Sequence, residues 1–136
     1  MDVVLSDEDV VQPDLFVVCD PKQVQRTHIK GPPTLCVEIV SDPAMDRLLK
    51  LDLYARSGVK ECWLVTPWPS VIEMLVLDGP TYRVQRVFGK DHELVSPTFP
   101  DLKIALGEVF NFPLEPGEEP PVAKEPPAPR YAATPE

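Results

Sequence analysis

Residues 34 to 66 constrain the fold of this chain more than any other stretch. TLCVEIV (34–40) is almost continuously apolar, as expected of a central strand covered on both faces. Ser41-Asp42-Pro43 then opens a helix, with Ser41 or Asp42 as its cap and Pro43 in the first turn. The helix is expected to run to about Ser57, where Gly58 supplies the stop. ECWLVT (61–66) is the next strand, ended by Pro67. A strand, a helix and a strand in that order imply a parallel pair joined by a right-handed crossover. Glu38 is the one charge in the first of these strands. An isolated carboxylate is too costly to bury, so it has to be paired, hydrogen-bonded or bound to a metal.

The flanking segments read as short strands and turns. Val3 to Leu5 is a candidate strand, and Leu15 to Cys19 a second, ended by Asp20-Pro21. Residues 20–33 hold charged clusters and Gly31-Pro32-Pro33, and are expected to form a loop. Val71 to Leu77 and Thr81 to Phe88 flank Asp78-Gly79-Pro80 and read as a hairpin. His92 to Val95 adds a short strand. Ile104 to Phe110 is expected to be a helical turn packed by Leu106, Val109 and Phe110. The class is α/β in the broad sense: an α+β arrangement on a mixed sheet, with no internal repeat.

The chain has 136 residues, enough for one domain and one core. PLEPGEEPPVAKEPPAPRYAATPE, residues 113–136, is dominated by Pro and Glu. It has too little apolar surface to offset ordering, so the folded domain is expected over residues 1–112 and the tail to be disordered. A docking peptide for a proline-reading domain is the alternative for that tail. The net charge is -9, and the tail's five acids and two bases account for -3 of it. That balance argues against a general nucleic-acid coat protein. It leaves a nuclease open, because a cation at the site screens the phosphate. No run of about 18 apolar residues is present, so no membrane span is expected. The start, MDVVLSDEDV, is acidic and lacks the basic beginning of a signal peptide, which makes cytoplasmic residence the expectation. Cys19, Cys36 and Cys62 each lie in an apolar run without CxxC spacing, and read as reduced core residues.

Alternation along 34–40 sets Cys36, Glu38 and Val40 on one face and Leu35, Val37 and Ile39 on the other. Asp14 follows Pro13 at the start of the preceding apolar run. On the helix Asp46, Lys50 and Tyr54 recur every four residues and share one stripe. Ala44, Leu48, Leu51 and Ala55 form another, expected to pack on the sheet. Two strands with one acid each, and a lysine on the following helix, can hold a divalent metal against a phosphodiester. Each residue also has a plainer reading. Glu38 could bond a neighbouring loop or lysine, Asp14 could be a turn residue, and Asp46–Lys50 could be a surface pair worth a few tenths of a kcal/mol.

The run QPDLFVV, then LCVEIVS, then D-x-x-x-K-x-x-x-Y-A-R-S-G-V-K-E-C-W-L-V resembles a family of restriction endonuclease-like proteins found in cyanobacteria and other bacteria. That family lies within the PD-(D/E)XK nuclease superfamily. The resemblance covers roughly residues 3–110 and is most specific from Asp46 to Val65. It implies a mixed sheet flanked by helices, with Asp14 as first metal-binding acid and Glu38 as second. The superfamily's lysine usually stands two residues after the second acid, where this chain has Val40. Lys50 on the next helix fits the family's substitute for it, and Asp46 precedes Lys50 as in many members.

Three departures stand out. The core is expected to lack the N-terminal helix and extra hairpin that relatives usually carry before the QPD strand. Thr34 stands where they often have Asp. Cys62 and Thr66 replace a Tyr and an Asp. The function implied is Mg²⁺-dependent (or Mn²⁺-dependent) phosphodiester hydrolysis on nucleic acid, DNA first, with Asp14 and Glu38 on the metal and Lys50 on the developing charge. Asp46 would support Lys50, and Tyr54 would make a phosphate or packing contact. A homodimer is open to such a chain. The rival expectations are a degenerate, non-catalytic interaction module of the same fold, and a plain α/β binding domain.

Overall fold

The computed structural model describes residues 1–40 and 44–111, and the side chains of residues 44–46 lie outside that description. The expected helix cap at Ser41-Asp42 and the tail from Pro113 therefore fall outside the described residues. Strands β1 (Asp2–Val4), β2 (Val10–Val11), β3 (Leu15–Val17), β4 (His28–Lys30) and β5 (Leu35–Ile39) precede helix α1 (Ala44–Ser57). After it come β6 (Glu61–Thr66), β7 (Val71–Asp78), β8 (Thr81–Gly89), β9 (Glu93–Val95), β10 (Lys103–Ala105) and the single-turn helix α2 (Leu106–Val109).

The main sheet has the order β3-β5-β6-β7-β8. β5 and β6 run parallel and are joined through α1, while the other neighbours are antiparallel. This is the mixed sheet expected, and the hairpin turns where Asp78 and Gly79 stand, Gly79 at φ 66°. Cross-strand partners share a face, so the register defines the two layers. One face carries Phe16, Cys36, Cys62 and Leu75, and packs with Val3, Val11 and Ile29 of the small sheet β2-β1-β4 and with Tyr54 and Val59. The other carries Val37, Trp63 and Met74, covered by Leu94, Leu106 and Phe110. Each of the large apolar side chains so enclosed contributes about 1.5–3 kcal/mol. β5 is sandwiched, with Leu35 to Glu38 all buried.

The end of α1 is fixed by a left-handed turn. Gly58 has φ 86°, its amide donates to Ala55 O at 3.1 Å, and the Val59 amide donates to Tyr54 O at 3.0 Å. Those are the two bonds of a Schellman cap. Its customary apolar contact is here too, since Val59 and Tyr54 are both fully buried in one cluster.

Several local expectations change. Residues 20–33 are not a plain loop. They hold a 3-10 turn at Pro21–Gln23 and strand β4, which pairs parallel to β1 in the register Val3↔Ile29. Ile29 is the apolar residue that β4 buries, and its partner lies too far back in the chain for local pattern to show. β2 was likewise unexpected. Cys36 and Cys62 are fully buried, but Cys19 is exposed beyond the end of β3. Leu106 and Phe110 pack inward as expected, whereas Val109 is exposed. On α1, Leu48 does not pack: it is 58% exposed and lines an open groove with Leu51 and Ala55. Among the described residues no helix is long and apolar enough to cross a membrane.

Candidate active site

The β3–β5 register runs Leu15↔Val37, Phe16↔Cys36 and Val17↔Leu35. One step further sets Asp14 across from Glu38, on the face shared with Phe16 and Cys36. The two acids that the sequence set 24 positions apart are thus neighbours on one row, which continues through Leu64 and Glu73. Pro13 is buried just before β3, and Asp14 emerges exposed after it. Oδ2 of Asp14 accepts from the Ile39 amide at 2.7 Å. Successive amides along a strand point to opposite neighbours. That of Val40 reaches Val65 O in β6 at 2.7 Å, so that of Ile39 faces β3, where a side-chain carboxylate stands in for a strand carbonyl. Among the described residues the other oxygen of Asp14 has no hydrogen-bond donor.

Glu38 is only 6% exposed, and both of its oxygens are engaged. Nζ of Lys50 donates to Oε1 at 3.2 Å, and the hydroxyl of Tyr54 donates to Oε2 at 2.6 Å. Burial raises the Glu38 carboxyl above its ordinary range. The Tyr54 and Lys50 hydrogen bonds and the Lys50 charge pull it down, while the Asp14 carboxylate pushes it up. The four-residue spacing of Lys50 and Tyr54 lets one helix face deliver both donors to one strand residue. Asp46 is on the same helix, and its side chain is outside the described residues.

The structure therefore brings Asp14, Glu38, Lys50 and Tyr54 together. Of the two contacts expected for Tyr54, phosphate or packing, its fully buried position matches packing, and its hydroxyl adds a bond to Glu38. Beneath them Cys36 and Cys62 are cross-strand partners. Burial pushes the Cys36 thiol up and the Cys62 thiol up to about 12, which keeps both protonated and unreactive.

Glu61, a second buried carboxylate, was not singled out by the sequence. It lies on the opposite face from Glu38 and is fully enclosed. Oε2 accepts from Trp63 Nε1 at 2.6 Å, and the Ser96 hydroxyl reaches both oxygens, at 2.9 and 2.8 Å. The Thr98 amide adds a contact at 3.4 Å. Four contacts from neutral donors close around this acid, which ties the segment after β9 to the sheet. The E-x-W spacing was the only local sign of it.

Among the described residues, no group of three or more His, Cys, Asp or Glu side chains is placed to hold a metal ion. The donor set that remains is two hard carboxylates on one row. It suits Mg²⁺, which is often held by one or two carboxylates and keeps several waters.

A solved structure from Anabaena variabilis, described as a putative nuclease belonging to DUF820, aligns with a TM-score of 0.64 at 16% identity. The match covers 81% of this chain and 64% of that one, so this chain spans under two thirds of its neighbour. At that identity the likeness shows the fold, a restriction endonuclease-like core. No curated protein matches the sequence. Residues 1–107 match the Uma2 family, described as "Putative restriction endonuclease", and the chain belongs to that family.

Proposed function

We propose that this protein hydrolyses phosphodiester bonds in DNA with the help of a divalent metal. The observation that carries the reading is the register that sets Asp14 beside Glu38, with the Lys50 ammonium on Glu38 Oε1. The family's description as a restriction endonuclease supports nucleic acid as the substrate. Asp14 and Glu38 would hold Mg²⁺ or Mn²⁺, Asp14 from the exposed side and Glu38 from within. When bound, such an ion supplies Lewis-acid polarisation of the phosphate and an acidified water. Lys50 is part-exposed and placed to offset the negative charge that builds on the phosphate oxygens during displacement. The amide of Ile39 holds Asp14 in place.

The test is nicking of supercoiled plasmid with Mg²⁺ or Mn²⁺, alongside calorimetric titration with Mn²⁺. Wild type should cut and bind, and Asp14→Ala should do neither. A second reading is a non-catalytic interaction module of the same fold. It is favoured by the engagement of both Glu38 oxygens within the protein. Wild-type chain that neither binds Mn²⁺ nor cuts would end the first reading in favour of the second.

A further inference from the structure

The proposal above uses Asp14, Glu38 and Lys50 and gives Tyr54 no part. The Tyr54 ring is fully buried among Val3, Val59 and Cys62, so its hydroxyl cannot meet a phosphodiester. That hydroxyl instead donates to Glu38 Oε2 at 2.6 Å, the shortest contact Glu38 makes. A glutamate side chain has three rotatable bonds, and its terminal one turns easily. In a buried strand few donors are at hand to stop that rotation. The ring is held from both sides: the Schellman cap fixes the Tyr54 main chain, and Val59 packs on it.

We propose that Tyr54 is a positioning residue for Glu38. Its hydroxyl keeps Oε2 inside the core and leaves Oε1, the oxygen that meets Lys50, as the one presented to a divalent cation. This rests on Glu38 being a metal ligand. Partners of this kind behind a metal ligand typically contribute 10–100-fold to metal affinity or activity.

The experiment compares Tyr54→Phe with Tyr82→Phe. Tyr82 is the matched control, because its hydroxyl donates to Val59 O at 2.6 Å and its ring packs against the same cluster. Both variants lose one hydroxyl from one region, and both are expected to melt at lower temperature than wild type. Mn²⁺ affinity, measured by calorimetry, should fall about 10–100-fold in Tyr54→Phe and stay unchanged in Tyr82→Phe. Equal affinity in wild type and Tyr54→Phe would overturn the proposal and leave the metal reading standing. No Mn²⁺ uptake by wild type would overturn both.

A measurement on the unsubstituted chain decides the matter if Tyr54→Phe does not fold. With ¹³C at Cζ of its three tyrosines, Mg²⁺ should move the Tyr54 resonance along the binding curve and leave that of Tyr82 in place. A Tyr54 signal that stays still while Mg²⁺ binds refutes the assignment.

Discussion

Nζ of Lys50 lies 3.2 Å from Oε1 of Glu38, so the helix that follows the strand turns back to neutralise its one acid. Lysine is no ligand for a hard cation. Lys50→Ala should therefore retain Mn²⁺ binding in calorimetry while plasmid cleavage falls about 10²-fold or more, the scale for removing one charge-stabilising donor. Lys50→Arg should restore cleavage only in part, since a planar fork does not sit where a compact ammonium did. Full cleavage by Lys50→Ala would remove this residue from the mechanism.

Asp14 separates structure from chemistry in two substitutions. Asn keeps an oxygen for the Ile39 amide, so Asp14→Asn should melt close to wild type. Ala removes the bond and should cost about 1 kcal/mol. Both should lose Mn²⁺ binding, because both remove the charge. Tight binding by Asp14→Asn would show that the carboxylate is not a ligand.

The raised Glu38 carboxyl has a consequence for stability against pH. Its folded pKa lies above its unfolded value, so between the two the folded state holds more protons. Stability then falls as pH rises from the unfolded value of about 4.5 through the raised folded one. Glu38→Gln lacks this titration. Without metal, the melting temperature of wild type minus that of Glu38→Gln should decrease from about pH 4 to pH 8. Mg²⁺ should raise the melting temperature of wild type alone. A difference that grows with pH contradicts the assigned direction.

Ser96→Ala tests the second buried acid. It removes the hydroxyl that bonds both oxygens of Glu61 and should cost about 1–3 kcal/mol in urea unfolding. Mn²⁺ affinity should be unaffected, since Glu61 faces the other side of the sheet. A metal defect in Ser96→Ala would mean that the two faces are coupled.

Much of this site was legible in the sequence. Glu38 declares itself because a carboxylate in an apolar strand needs a partner, and Lys50 is placed near it by the helix that follows. The hairpin and the end of α1 are written in Asp78-Gly79 and Gly58. Other parts rest on contacts distant in sequence. β4 exists because Ile29 pairs with Val3, 26 positions back. Glu61 finds Ser96 and Thr98 at separations of 35 and 37. Leu48 fits the apolar helical stripe yet stands exposed, because periodicity tells which residues share a side but not how far the neighbouring layer extends. Tyr54 was readable as a packing residue, but its bond to Glu38 was not, because a tyrosine on a helix looks the same whether its hydroxyl ends in water or on a buried acid.

The Asp14–Ile39 bond spans 25 residues and secures a three-residue strand at the sheet's rim. The unit β5–α1–β6 closes its own loop through the pair Leu35↔Glu61 and holds Glu38, Lys50 and Tyr54, whereas Asp14 joins only when a second, separate loop closes. Short rim strands open at a fraction of the global unfolding cost. Each such excursion frees the Ile39 amide, which no neighbouring strand carbonyl guards. Its hydrogen-exchange rate thus acts as a clock for how often the first acid leaves the second.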